Sequence, residues 1–150
     1  MPDNSSPDPV TPDTGANGGE APHAVRAMIL DFLEKQMAGR YAEVAYHVAP
    51  DCEITFSGGR RFASAAEITA FNAKRYAWVK KRMERTDVAP GEGCVVVYSI
   101  GFLYGAWPDG TAFDGNRYID RFEVRDGQIT RWEVWNDSGE RLLERHGIEA

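Results

Sequence analysis

The stretch YIDRFEVRDGQITRWEVWND, residues 118–137, decides the fold. Its first half alternates. Tyr118, Asp120, Phe122 and Val124 fall on one side, while Arg117, Ile119, Arg121, Glu123 and Arg125 fall on the other. A period of two marks a strand with one buried face. Asp126-Gly127 then predicts a tight hairpin, because both residues tolerate positive φ. The return strand, 128–137, places Trp132, Val134 and Asn136 on one face. One residue breaks the pattern, because Asp120 lies on the apolar side. A charged carboxylate there is costly unless paired, and desolvation raises its pKa towards the neutral acid. Such an acid can donate to a developing oxyanion or act as a general acid. Equally, a buried aspartate can hold a neighbouring backbone group or arginine in place. The residues alone leave both readings open.

Working outward, residues 94–107 and 112–125 predict two long strands around Pro108-Asp109-Gly110. Gly101 and Gly105 interrupt the first, as glycines do at bulges and bends, so the sheet is expected to curve. Tyr98, Ile100, Phe102 and Tyr104 share a face, which predicts an aromatic pocket wall or plain core. KKRMERTDVA, residues 80–89, reads as a further strand, and CEITFSGGRRF, 52–62, as two short ones. Val25, Met28, Ile29, Phe32, Leu33 and Gln36 follow helical spacing between Pro22 and Gly39. YAEVAYHVA, 41–49, predicts a short helix ended by Pro50. Ser64 and Glu67 form a capping box for a helix running to about Ala77, and Asp137 with Glu140 resembles a second one. Helices, a hairpin, a helix and then a meander make an α+β pattern. A curved sheet covered by helices on one face makes a cup, and cups bind small molecules.

The stretch 118–137 resembles the C-terminal hairpin of the SnoaL-like and ketosteroid-isomerase-like proteins of the nuclear-transport-factor-2-like superfamily. The element order over about 22–146 is similar too. The resemblance implies a cystatin-like cone: a strongly curved antiparallel sheet with N-terminal helices packed on its concave face. It implies a homodimer, as in most relatives. The superfamily hosts isomerases, epoxide hydrolases, dehydratases, cyclases and noncatalytic modules, so the fold does not settle function. Asp120 falls where ketosteroid isomerases hold a protonated aspartate in an oxyanion hole. Their tyrosine donor aligns with Phe32 and their general base with Phe56, so two of three functional positions are lost. The epoxide-hydrolase set falls on Ile100, Phe102 and Val134. Scytalone dehydratase uses paired histidines, whereas only His47 is available here within the folded part. SnoaL-like cyclases use an aspartate as acid/base, a role open to Asp120.

These readings give Asp120 and His47 as candidate catalytic residues. They give Phe32, Phe56, Tyr98, Phe102, Tyr104, Tyr118, Trp132 and Asn136 as candidate ligand contacts. His47 lies beside an apolar stripe and is either a base facing Asp120 or a hydrogen-bonded boundary residue. Asn136 either orients a ligand carbonyl or satisfies backbone groups at a strand end. The expected function is acid/base chemistry on an apolar or aromatic carbonyl compound, the alternative a noncatalytic binding or dimerisation module.

Composition bounds the rest. The chain has 150 residues, enough for one domain with a sizeable core. Residues 1–20 hold four prolines, three glycines, four acids and no Lys or Arg. That stretch is expected to be a disordered tail, with a single domain over 21–150. The net charge is −6, and four of the 23 acids lie in that first stretch, so the remainder is nearly balanced against 17 basic residues. No nucleic-acid partner is expected from such a balance. KRYAWVKKRMER, 74–85, clusters six basic residues and reads as a solvated face at a helix end. No apolar run is long enough to span a membrane as a helix. Cys52 and Cys94 form no metal or redox motif, and three scattered histidines lack ligand spacing, so no metal or cofactor is expected. A reducing cytoplasm is the expected location.

Overall fold

The structure, a computed structural model, describes residues 21–148. The acidic stretch 1–20, expected as a tail, lies outside the described residues. Helix α1 (Pro22–Met37) starts on its proline and buries Val25, Ile29, Phe32 and Leu33 along one stripe. Strands β1 (Val48–Phe56) and β2 (Arg60–Phe62) form a short hairpin, followed by α2 (Ala65–Arg75). Four strands then run as a meander: β3 (Trp78–Gly91), β4 (Cys94–Ala106), β5 (Ala112–Arg125) and β6 (Gln128–Asn136). Helix α3 (Ser138–Arg145) follows. The architecture is α+β. One sheet of order β2-β1-β6-β5-β4-β3 curls without closing, consistent with the expected cone.

Every pairing is antiparallel except β1 with β6, which is parallel. The parallel pairing uses the crossover that α2 and the first three meander strands provide. It also explains why the segment 41–49 is not the helix its spacing predicts. Two 3-10 turns, Tyr41–Glu43 and Ala45–His47, lead directly into β1, and Val48 already pairs beside Ile129. Val44 alone of Tyr41, Val44 and Ala45 is buried. Pro50 lies inside the strand rather than ending a helix. Sheet pairing overrides a short helical pattern here.

The β5–β6 hairpin forms as its sequence predicts. Asp126 (φ 49°) and Gly127 (φ 74°) both adopt positive φ, and Arg125 faces Gln128 across the turn. The Ser64 box also forms: the Glu67 N–H donates to Ser64 Oγ (3.3 Å), while Glu67 reaches back to the Ala63 N–H (2.7 Å). Asp137 does not cap α3. Its carboxylate instead accepts from Arg117 Nε at 2.7 Å, a charge-assisted bond that outcompetes the cap.

The core fills the concave side. Phe32 meets Phe122 and Trp132 edge-on at 6.0 and 5.4 Å, and Phe122 stacks on Trp132. The curl has a local cause. The β3–β4 register shifts between Met83 and Arg85, opposite Gly101, and the β4–β5 register shifts between Leu103 and Gly105. A Cβ on Gly101 would run into the backbone carbonyl oxygen of Arg82. Gly101→Ala should therefore destabilise the fold by about 1–3 kcal/mol through overpacking at the bulge. Chemical denaturation checks this, and a midpoint equal to the parent's would show that the bulge can open.

Candidate functional site

Between the sheet and helices α1 and α2 lies a cavity of about 300 Å³. Its floor comes from the strands: Lys81, Leu103, Tyr118, Asp120, Trp132 and Val134. Leu33 and Met37 of α1 and Ile68 of α2 form apolar walls, and Phe56 closes the β1 side. Gln36, Thr69, Asn72 and Asn136 add polar groups. An apolar cavity with few polar groups is the usual form of a small-molecule site.

Asp120 lies on the floor with no solvent exposure. It sits mid-sheet, opposite Ser99 on β4 and Val134 on β6. Lys81 of β3 reaches it, and the ammonium pairs with Asp120 Oδ2. The same ammonium stands 4.6 Å from the centroid of the Tyr118 ring, within cation–π range. The Tyr118 hydroxyl shares a 3.0 Å hydrogen bond with Ser99 Oγ, both buried. Burial holds the Asp120 carboxyl above the usual carboxylate range, against the opposing pull of the Lys81 charge and its hydrogen bond. Burial likewise pushes the Tyr118 phenol up to about 12. Two buried polar atoms of cavity-lining residues, Asp120 Oδ1 and Trp132 Nε1, have no partner among the described residues.

A second polar cluster ties α3 to the cup. Tyr76 OH donates to Ser138 Oγ at 2.6 Å, and Asn116 Nδ2 donates to the same oxygen at 3.3 Å. Asn136 Oδ1 accepts from the Ser138 N–H at 3.0 Å, so Asn136 both lines the cavity and satisfies a backbone donor.

Of the residues singled out in the sequence, Phe56, Tyr118, Asp120, Trp132 and Asn136 come together on the cavity. Phe32 does not line it, being buried in the core behind. Tyr98, Phe102 and Tyr104 lie on the opposite face of the sheet, because Tyr98 pairs beside Arg121 and Phe102 beside Arg117. There Tyr98 packs under the Arg121 guanidinium and Tyr104 under that of Arg82. His47 lies against Tyr46 with ring centroids 4.0 Å apart, on the turn before β1, and takes no part in the cavity. Lys81 is the residue missed. Its basic stretch reads as a solvated face, yet Val79, Lys81 and Met83 alternate inward while Lys80, Arg82 and Glu84 are exposed. That alternation was the available signal. Among the described residues no group of His, Cys, Asp or Glu is placed to hold a metal ion, and no helix is long and apolar enough to cross a membrane.

The model of the SnoaL-like domain matches residues 16–132 of this sequence. The chain belongs to the SnoaL-like domain family. Solved structures carry the same fold. A candidate SnoaL-like polyketide cyclase from Jannaschia is 18% identical with a TM-score of 0.60, covering 78% of this chain and 88% of its own. An NTF2-like protein from Burkholderia thailandensis is 17% identical with a TM-score of 0.63, covering 83% and 97%. A candidate ketosteroid isomerase from Shewanella frigidimarina is 18% identical with a TM-score of 0.57, covering 72% and 91%. At such identities the likeness speaks for the fold alone. No curated protein matches the sequence.

The ion pair makes a pH-dependent prediction for this SnoaL-like domain. Lys81→Met removes both influences that lower the Asp120 pKa. The folded-state value then rises further above the unfolded one. A carboxyl raised on folding contributes stability below its unfolded pKa, and that contribution is lost as pH rises through its folded pKa. The gap in unfolding free energy between Lys81→Met and the parent, read by chemical denaturation, should therefore narrow as pH falls from about 8 to about 5, by up to about 1.4 kcal/mol per pH unit. A gap independent of pH would mean that Asp120 does not carry the buried charge.

Proposed function

We propose that this SnoaL-like protein is a small-molecule enzyme of the isomerase or cyclase type. It takes an apolar or aromatic carbonyl compound into the cup and moves protons with the Lys81–Asp120 pair. The observation that carries this reading is an ammonium–carboxylate pair on the floor of a largely apolar cavity. Burying two charges costs several kcal/mol per ion, and packed apolar side chains often serve stability as well.

The roles follow from position. The Lys81 ammonium, with part of its side chain exposed, donates to a carbonyl oxygen as negative charge develops on it. Asp120 orients that ammonium and, with its carboxyl held up by burial, exchanges a proton with it or with the ligand. The oxyanion donor expected at Asp120 thus moves to its partner, with Asp120 as the acid/base behind it. Phe56, Tyr118 and Trp132 supply the apolar and aromatic surface, and Asn136 adds a polar contact. Two features favour catalysis over a noncatalytic module. Lys81 gives Asp120 a second polar group within reach, and Asp120 Oδ1 has no partner among the described residues.

A second copy of the chain is the expected partner. The sheet face opposite the cup exposes Ile119 and Trp135 beside the Tyr98 row, apolar surface that a homodimer would cover. Free Cys52 and Cys94 suit a reducing cytoplasm.

Thermal shift with phenols and enones tests the reading. A ligand at about 100 times its dissociation constant adds roughly 2.7 kcal/mol, a shift of several degrees. Parent protein should show it, and Asp120→Asn and Lys81→Met should lose most of it. β,γ-Unsaturated ketones should then isomerise to the conjugated enones, followed by a gain in ultraviolet absorbance. Equal shifts in all three proteins would place binding elsewhere, and binding without turnover would leave the noncatalytic module.

A further inference from the structure

Lys81 differs from the other lysines of the described chain. Its stem lines the apolar cavity and its nitrogen touches a carboxylate with no solvent exposure. Neighbouring Lys80 also borders the cavity, but it is exposed, has the opposite strand parity and makes no ion pair with Asp120, while Lys35 pairs with Asp31 along its own helix, in partial contact with water. Lys74 is exposed on α2. We propose that Lys81 is a carbonyl-capturing amine, which condenses with an aldehyde or ketone held in the cup to form a Schiff base. The inference rests on the reading of the cup as a site for carbonyl compounds, and it adds a covalent step to it.

An ammonium is not a nucleophile, so the pair must first neutralise. Moving one proton from Nζ to Asp120 Oδ2 removes both charges without any other group. A ligand that dries the cup favours that move, because separated charges are the costlier state in an apolar surround. The unpartnered Asp120 Oδ1 works in the same direction, since the carboxylate has only one of its oxygens hydrogen-bonded. The Tyr118 ring opposes it by favouring the cation.

The neutral amine then adds to the carbonyl carbon, a C–N bond forms, and the oxygen takes up the proton that nitrogen sheds. Asp120, now the acid, returns its proton to the resulting hydroxyl. The C–O bond breaks and water leaves. The product is a protonated imine on Lys81 facing an ionised Asp120, so the cation–carboxylate pair of the resting state is restored around the bound ligand. Lysine amines activated by desolvation use this chemistry.

Reductive trapping tests it. The full-length protein is incubated with benzaldehyde and cyanoborohydride, and the modified lysines are located by peptide mass mapping. Lys81 should be alkylated about tenfold or more faster than Lys35, Lys74 or Lys80, because a ligand held beside the amine reacts as a neighbour. A phenol that binds the cup should protect it, and Asp120→Asn should slow it. Lys81→Arg keeps a cation opposite Asp120, so it should fold with a melting temperature near the parent's while losing the dominant adduct. Alkylation spread evenly over the four lysines, or absent from Lys81, overturns the proposal. If phenols still stabilise that protein, only the covalent step falls. If they do not, the acid/base reading falls with it.

Discussion

A carboxylate in the middle of a sheet, with no exposure, has to be answered by something within reach. Asp120 is flanked on its own strand by Tyr118 and Phe122, and across the ladder by Ser99 and Val134. None of these can neutralise it. The answer comes from two strands away. Lys81 lies opposite Leu103 on β4, while Asp120 lies opposite Ser99, so the lysine stem runs diagonally over β4. Gly101 occupies the position between them on that face. A glycine there does two things. It lets the β3 backbone press close at the bulge, and it leaves no side chain across the diagonal. The curl of the sheet and the ion pair at the bottom of the cup thus depend on one position.

The two faces of the sheet handle charge in opposite ways. On the convex face Arg121 is bonded to Glu123 and Glu133 at 3.0 and 2.9 Å and lies over Tyr98. Those groups keep access to water, so each bridge contributes little and can rearrange. On the concave face a single pair lies between the sheet and helices α1 and α2, its carboxylate with no exposure and its lysine partly exposed. Its electrostatics are strong in both directions: the pair is held tightly, and loss of either member leaves an expensive charge behind. Alternation along β5 is what separates these two regimes, one residue apart.

Much of this was legible in the sequence. The Asp-Gly turn and the alternation around it fix the β5–β6 hairpin, and with it the parity of Asp120, Trp132 and Asn136. The parity of β4 was not legible. Its phase against β5 passes through the 107–111 turn and a register shift between Leu103 and Gly105, and a single slip moves a whole row to the other face. That is why Tyr98, Phe102 and Tyr104 read as pocket wall but lie outside. Lys81 was hidden for a different reason. Six basic residues in twelve read as a solvated patch, and composition masked the alternation of Val79, Lys81 and Met83. The 41–49 segment misled because apolar spacing is local, whereas the parallel pairing of Val48 beside Ile129 joins residues far apart in the chain.

The remaining question is why a core that packs Phe32, Phe122 and Trp132 in close aromatic contact leaves space beside them. Interiors seldom keep voids, and buried polar atoms seldom lack partners. In this protein the departures converge, with one exception, Asn116 Oδ1 beside Ser138. The cavity, the unpaired Asp120 Oδ1, the unpaired Trp132 Nε1 and the Lys81 ammonium all belong to one floor. A larger side chain at Leu103 or Val134 would fill the gap with no change to the ladder. Local rules broken together, in a sequence otherwise consistent from turn to core, are what a functional site leaves in a fold. An acceptor for the indole N–H, a donor for the carboxylate and an apolar body of modest size would satisfy every one of them at once.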